Sequence, residues 1–294
     1  MRILVLGSKG QLGRCLSDQL TKTHYEVFHT AREEIDIVDF DQAKKKIIEI
    51  DPDVLINASA YTAVDKAEEE TDKADLINNL AVKNIADICN HLDCWFIHIS
   101  TDYVFDGNSR IPYIEKDKTN PQGVYGLTKL NGEIAIKSSG CKHIIIRTAW
   151  VFSEYGNNFL KTMLKLRENH NELNVVCDQI GCPTYAQDIA AAIVLIIPQL
   201  SSVNDSGIYH FCGSRSCSWF NFAKEIFDIS DKLNARDPIL LNPIKTKEYP
   251  TLALRPMFSV LDCTKINRKF NIKTQNSYRV IEPIIQDLLK NPDL

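Results

Sequence analysis

Long apolar runs are missing from this sequence. The longest runs, such as AAAIVLII at residues 190 to 197, fall far short of the roughly 20 residues that a membrane span requires. Runs of one charge are missing too: no Lys/Arg run exceeds three residues, Lys44 to Lys46, and the formal net charge is only −4. That leaves no basic face of the kind that binds nucleic acid. There is no CxxC motif. The nine cysteines, Cys15, Cys89, Cys94, Cys141, Cys177, Cys182, Cys212, Cys217 and Cys263, are odd in number and sit in a chain large enough to fold without staples, which predicts reduced thiols. The close pairs Cys177/Cys182 and Cys212/Cys217 lack the further His or Cys that would complete a zinc site. The opening MRILVLGSKGQLG has no basic stretch, long apolar core or small-residue cleavage site, so the expectation is a soluble, cytoplasmic protein. Repeats and low-complexity segments are also absent.

What is present is the raw material of a large core: 294 residues, 44% of them hydrophobic. Apolar runs RILVLG, DVLINASA, CWFIHIS and HIIIRTAW begin near residues 2, 53, 94 and 143, with amphipathic stretches between them. Continuous apolar strands alternating with helices predict a parallel sheet covered on both faces, because each crossover helix buries its apolar stripe against the sheet. Helices are expected from about Gln11 to Leu20, Asp41 to Ile50, Ala74 to His91, Val124 to Ser138 and Asn158 to Asn169, with Pro52 and Gly140 as breakers. Beyond about residue 170 short strands mix with helices and Pro-containing loops. The predicted fold is therefore α/β: a Rossmann-type doubly wound parallel sheet over residues 1–170, receiving segments from the later chain, with a smaller C-terminal α/β substrate lobe over residues 171–294.

GSKGQLG follows the first strand and opens the first helix, giving Gly7, Gly10 and Gly13 in GxxGxxG spacing. The first glycine permits a tight turn, the second a close approach to a pyrophosphate, and the third close helix-to-strand packing, while Gln11 and Leu12 supply N–H groups at the helix start. The second strand, YEVFHT, ends in Ala31-Arg32 where an acidic residue would favour NADH, so Arg32 points to NADPH, with NADH as the alternative. Glu33 and Glu34 follow as candidate partners for Arg32. Asp36 and Ile37 fall beside the expected adenine site, and a helix N-cap role suits Asp39.

HISTDYVFDG ends the fourth strand, where open α/β sheets place their chemistry. Ser100 and Thr101 supply hydroxyls, and VYGLTKLNGE then sets Tyr125 and Lys129 one helical turn apart. A phenol ionises near pH 10, so Tyr125 exchanges a proton at neutral pH only with help, and an ammonium at i+4 favours the phenolate. The same ammonium can hold the nicotinamide ribose. Alone, YxxxK is more often a solvated pair; in this order, after a glycine-rich turn and a Ser/Thr cluster, it is what a carbonyl reductase requires.

At these blocks the chain resembles the dTDP-4-dehydrorhamnose reductase family of extended short-chain dehydrogenase/reductases. The likeness spans GSKGQLG, INASAYTAVDKAE, STDYVFDG, PQGVYGLTKLNGE, RTAWVF, DQIGCPTYAQDIA, GIYHFCG and YPTLALRP. The resemblance implies hydride transfer from NADPH or NADH to C4 of a dTDP-4-keto-6-deoxy-L-mannose, with Tyr125 as proton donor, Lys129 as its activator and cofactor anchor, and Thr101 hydrogen-bonded to the sugar carbonyl. It further implies that Asp102 shapes the sugar pocket, that Trp150 packs on the sugar, that Ala60, Tyr61 and Thr62 line the cofactor cleft, and that Arg255 pairs with the substrate diphosphate. Asn158, Gln179 and Thr184 fall in blocks that face the nucleotide. Each has a plain structural alternative: core for Trp150, a turn cap for Asp102, an interdomain ion pair for Arg255. Leu252 and Phe258 depart from the family pattern YPTPAxRPxNS, which leaves dTDP or UDP open. Cys15 stands where some relatives carry an acidic residue of a dimer-bridging magnesium site, so no metal is expected. A monomer or homodimer acting on a nucleotide sugar is expected. The competing readings are an epimerase or dehydratase that recycles a tightly held NAD, and a non-catalytic NADP-binding regulatory subunit.

Overall fold

Each central strand alternates its burial between two faces, and that alternation builds the architecture. In the computed structural model, which describes residues 1–291, strands β1 (Arg2–Leu6), β2 (Glu26–Thr30), β3 (Val54–Asn57), β4 (Trp95–Thr101), β5 (His143–Thr148) and β6 (Gly207–His210) form one sheet in the order β6-β5-β4-β3-β1-β2. All its pairings are parallel. Ile3 and Val5 of β1 pack to one side with Leu16 of helix α1 (Gln11–Leu20), whereas Leu4 and Leu6 pack to the other with Ile47 of α2 (Phe40–Ile50) and Ile85 of α3 (Ala81–Leu92). Strands buried on both faces explain why the sequence shows continuous apolar runs rather than alternation.

The helices fall where the periodicity predicts, with local chemistry setting their ends. Asp39 caps α2, its carboxylate accepting from the backbone N–H of Gln42 at 3.1 Å. Helix α4 (Val124–Ser139) stops at Gly140, which adopts a left-handed φ of 80°. The stretch expected as one helix from Ala74 is instead a short helix, Thr71–Asp75, a π turn, Leu76–Leu80, and then α3. A π turn widens the helix by one residue per turn, which apolar spacing alone does not reveal.

Helix α5 (Phe159–Asn169) leads into the second half of the chain. That half divides its work: helix α6 (Ala186–Ile196) returns to pack on α1, and β6 extends the central sheet beside β5. Ile266 and Phe270 also join the sheet's core, while a separate cluster gathers around Phe152, Phe222, Phe227 and Ile281, with helix α7 (Trp219–Leu233) at its centre. Residues 292–294 of the expected second region lie outside the described residues. Among the described residues, no helix is long and apolar enough to cross a membrane.

Chain order in the sheet reverses between β1 and β3. That switch point opens a crevice beyond the strands' carboxyl ends, where the glycine-rich turn and the residues after β3 meet.

Candidate active site

The turn after β1 is built so that only glycine fits. Gly7 has a left-handed φ of 79°, and a Cβ on Gly13 would lie 2.2 Å from the Gly7 carbonyl oxygen. Helix α1 starts behind an extended Gly10 with no side-chain cap, so its first N–H groups face the crevice without an internal partner. Gly7, Arg32, Asp36, Ile37, Ser59 and Ala60 line a cavity of about 230 Å³ beside this turn, together with Ile35, Val38, Lys73, Leu76 and Ile77. A tight backbone cradle, an uncapped helix start and an apolar slot with two cations at its lip fit a dinucleotide carrying an extra phosphate.

Several expected contacts are arranged differently. Arg32 does not pair with Glu33 or Glu34; its Nε lies 3.0 Å from Asp36 Oδ2, and its side chain is 75% exposed, free to swing over the slot. Glu33 pairs instead with Lys9. Glu34 turns back to accept from the Ala31 N–H. The Leu12 side chain is core, and the Gln11 side chain accepts from Asn158 and Ser153, so both face the crevice through their backbone only. Tyr61 packs with Ala67 and Ala74 beside Tyr125, its hydroxyl donating to Glu70, while Thr62 is exposed and outside the cavity lining. Gln179 donates to Thr246, and Thr184 accepts from the Gly213 N–H. Lys73, Leu76 and Ile77 escape sequence reading because the short helix and π turn that carry them are not visible in the apolar spacing.

At the end of β4, Thr101 Oγ1 donates to Asp102 Oδ1 at 3.0 Å and accepts from the Tyr103 N–H. Asp102 is buried, its Oδ2 has no hydrogen-bond partner among the described residues, and burial lifts its carboxyl to about 6. Tyr125, at the start of α4, meets Tyr103 edge-on with ring centroids 5.5 Å apart. Part of its ring keeps an open surface, but its hydroxyl lies in the desolvated end beside Thr101; burial pushes the phenol up, and Thr101 offsets this only in part. Tyr125 is therefore held protonated, as a donor must be.

Lys129 is 2% exposed. Its Nζ donates to the Ile99 carbonyl at 2.6 Å and lies 3.1 Å from His98 Nε2. The expected pull of its ammonium towards a Tyr125 phenolate is not made in this arrangement. Burial lowers Lys129 to about 8, with Glu133 acting in the opposite direction. His98 and Asn57, the side chains behind Lys129, are functional candidates that sequence reading missed; a lone histidine in a buried strand carries no signal of its own.

Trp150 takes a left-handed φ of 48° immediately after β5, an uncommon conformation for an aromatic residue, and lies flat on Trp219 with ring centroids 3.4 Å apart. Arg255 donates to the Tyr103 hydroxyl at 3.1 Å and to Asp65 at 2.5 Å, an ion pair of the kind that its sequence position allowed. Leu252 is exposed and Phe258 tilts against Tyr113, so both departures from the family pattern lie on the loop that carries Arg255.

A parallel sheet with a glycine cradle at its switch point, and a tyrosine and lysine one turn apart beside a threonine at the end of β4, defines a dinucleotide-dependent reductase of the short-chain type. Residues 1–290 match the family model described as RmlD substrate binding domain. A dTDP-4-dehydrorhamnose reductase of Aggregatibacter actinomycetemcomitans is 43% identical over 96% of this chain and 98% of its own. A crystal structure of a dTDP-4-dehydrorhamnose reductase from Clostridium acetobutylicum superposes with a TM-score of 0.91 at 39% identity, covering 99% of this chain and all of its own, 100%. Another, from Bacillus anthracis in complex with NADP, gives a TM-score of 0.88 at 34% identity and covers 98% of each chain. This chain belongs to the dTDP-4-dehydrorhamnose reductase family.

Proposed function

We propose that this protein reduces the C4 ketone of dTDP-4-dehydro-6-deoxy-L-mannose to the alcohol of dTDP-L-rhamnose, using NADPH. The observation that carries this reading is the position of Tyr125: its hydroxyl beside Thr101, one turn before a buried Lys129, and its ring in the same small cluster as Ile77, which lines the cavity beside the glycine turn. The nicotinamide ring supplies hydride when bound. Gly7, Gly10 and the α1 N-terminus would hold the diphosphate, Arg32 would pair with the 2′-phosphate, and Asp36, Ile37 and Ala60 would wall the adenosine.

On the substrate side, Tyr125 donates towards the ketone oxygen, and Thr101 joins it by turning its one hydroxyl hydrogen from Asp102 to that oxygen. As hydride reaches C4, negative charge grows on that oxygen, and a phenol held protonated by burial passes its proton to the developing alkoxide. Lys129 holds the nicotinamide ribose and thereby aligns hydride donor with proton donor. Asp102 and Trp150 shape the sugar pocket, and Arg255 is the cation for the sugar's diphosphate. Residues 171–294 act mainly as the substrate lobe, although α6 and β6 belong structurally with the nucleotide half. We place the enzyme in the cytoplasm, as a monomer or homodimer.

The test is product analysis. Purified protein, NADPH and enzymatically generated dTDP-4-dehydro-6-deoxy-L-mannose should give one dTDP-L-rhamnose per NADPH oxidised. Tightly held cofactor with no net oxidation would indicate an epimerase or dehydratase. Binding without any turnover would indicate a regulatory subunit. A UDP-linked ketone reduced in preference would move the reading to the UDP sugar.

A further inference from the structure

The hydrogen bonds behind Lys129 have a direction that can be read from the backbone. The Ser59 N–H can only donate, and it donates to Asn57 Oδ1 at 3.0 Å; the Ser59 hydroxyl reaches the same oxygen. This fixes the Asn57 amide, so that its NH2 group is the one facing His98 Nδ1, at 3.4 Å. An NH2 group has no lone pair to offer, so Nδ1 accepts and a neutral His98 carries its proton on Nε2. That Nε2–H faces Lys129 Nζ at 3.1 Å. An N–H aimed at an ammonium is donor against donor. The contact becomes a hydrogen bond only when Lys129 is an amine that accepts from His98 while giving its own hydrogen to the Ile99 carbonyl at 2.6 Å.

The other groups around Lys129 do little to restore the charge. Burial holds His98 itself neutral. Along α4, Tyr125 stays a neutral phenol and Glu133 is the supporting carboxylate, but Glu133 is clamped by Arg147 of β5 at 2.9 and 2.6 Å and accepts from Ser100 of β4. Tyr103, from the turn after β4, is kept a neutral phenol by burial, and Asp102, raised to about 6, is a carboxylate at the pH of the test but acts on Tyr125 rather than on Lys129. Asn78 of the π turn, uncharged, reaches α4 only at Thr128.

We propose that Asn57 and His98 are positioning residues that fix the histidine tautomer and favour the amine form of Lys129, so that NADPH binding is coupled to proton uptake at Lys129. A bound dinucleotide brings phosphate charge and ribose hydroxyls that accept from an ammonium, which favours the protonated form. This rests on the reading of the crevice as an NADPH site. It adds a proton to the binding step and gives His98, which is buried and outside the cavity lining, a defined task.

Calorimetric titration of the full chain with NADPH, in two buffers of different ionisation enthalpy, counts that proton without any turnover. At about pH 8.5 the cofactor phosphates are already ionised, so the protein is the source of any uptake. The expected result is more than about half a proton per NADPH at that pH, fading towards pH 7, where Lys129 is already largely protonated. In Asn57→Asp the new carboxylate accepts from both Ser59 and His98 Nδ1, reversing the tautomer, so Nε2 accepts from an ammonium and the uptake should disappear. His98→Gln should reduce it as well. NADPH binding with no proton uptake in the natural protein overturns this inference and leaves the reductase reading intact. So does an undiminished uptake in Asn57→Asp, which requires no removal of a large core side chain. A protein that binds no NADPH at all overturns both.

Discussion

Arg255 reaches from the C-terminal loop to Asp65 on the nucleotide half, its Nη2 2.5 Å from Oδ2, while its other arm donates to the Tyr103 hydroxyl. One guanidinium thus ties the loop carrying Leu252 and Phe258 to the wall beside Tyr125. An Arg at a forked site is not replaced by the point charge of Lys. Arg255→Lys is expected to raise the KM for the nucleotide sugar roughly tenfold, the scale of one lost charge-assisted hydrogen bond, with the Kd for NADPH unchanged. Steady-state kinetics and a direct NADPH titration together check this; a change confined to NADPH would assign Arg255 to the wrong ligand.

Arg32 stands at the lip of the adenosine slot, held only by Asp36 from a largely exposed position. In water such a pair is weak and easily exchanged for a phosphate. Arg32→Ala should weaken NADPH binding by roughly 10- to 100-fold while leaving NADH binding within about twofold. Fluorescence titration with both cofactors reads the difference, and equal losses for the two would remove Arg32 from the 2′-phosphate.

Asp102 makes the pH dependence of stability testable. Its carboxyl is lifted from 3.8 to about 6 by burial, so between these values the folded chain binds a proton that the unfolded chain has released. The stabilising effect is complete below about pH 4 and is lost as pH rises through about 6. Asp102→Asn cannot ionise, so its stability relative to the natural protein should improve by about 2 kcal/mol between pH 4 and pH 7. Urea unfolding across that range measures it. A constant difference would mean that the Asp102 carboxyl is not raised.

Tyr125→Phe keeps the ring that packs edge-on against Tyr103 and removes only the proton donor. Loss of a general acid costs about 10² or more in kcat, with NADPH affinity nearly intact. Lys129→Ala should damage both, because the same side chain aligns the ribose. Wild-type kcat in Tyr125→Phe, measured at saturating substrates, would refute its role.

Much of the fold could be read before any coordinates were seen. Five of the six main-sheet strands and four of the five expected helices met their expected places because strands buried on both faces and amphipathic helices leave different periods in the sequence. Helix ends were equally legible where one side chain decides them, as at Asp39, or one glycine, as at Gly140. The site was legible in its motifs and much less so in its wiring. Nothing in EEID says that Arg32 chooses Asp36 over its nearest acidic neighbours, since that depends on how the turn after β2 closes. Lys129 was expected to act on Tyr125, but the depth of its burial sends its nitrogen to a main-chain carbonyl and a histidine. The π turn and the stacking of Trp150 on Trp219 arise from packing between distant segments, which local pattern does not encode.

The central claim is that hydride leaves the nicotinamide and arrives at C4 of the sugar. Turnover with NADPH deuterated at nicotinamide C4, on the transferred face, followed by mass spectrometry and proton NMR of the isolated nucleotide sugar, reads that transfer directly. The account predicts one deuterium per product molecule, located at C4 of the dTDP-L-rhamnose. Product without deuterium at C4, or a ketone left unreduced by protein that binds NADPH, would contradict it.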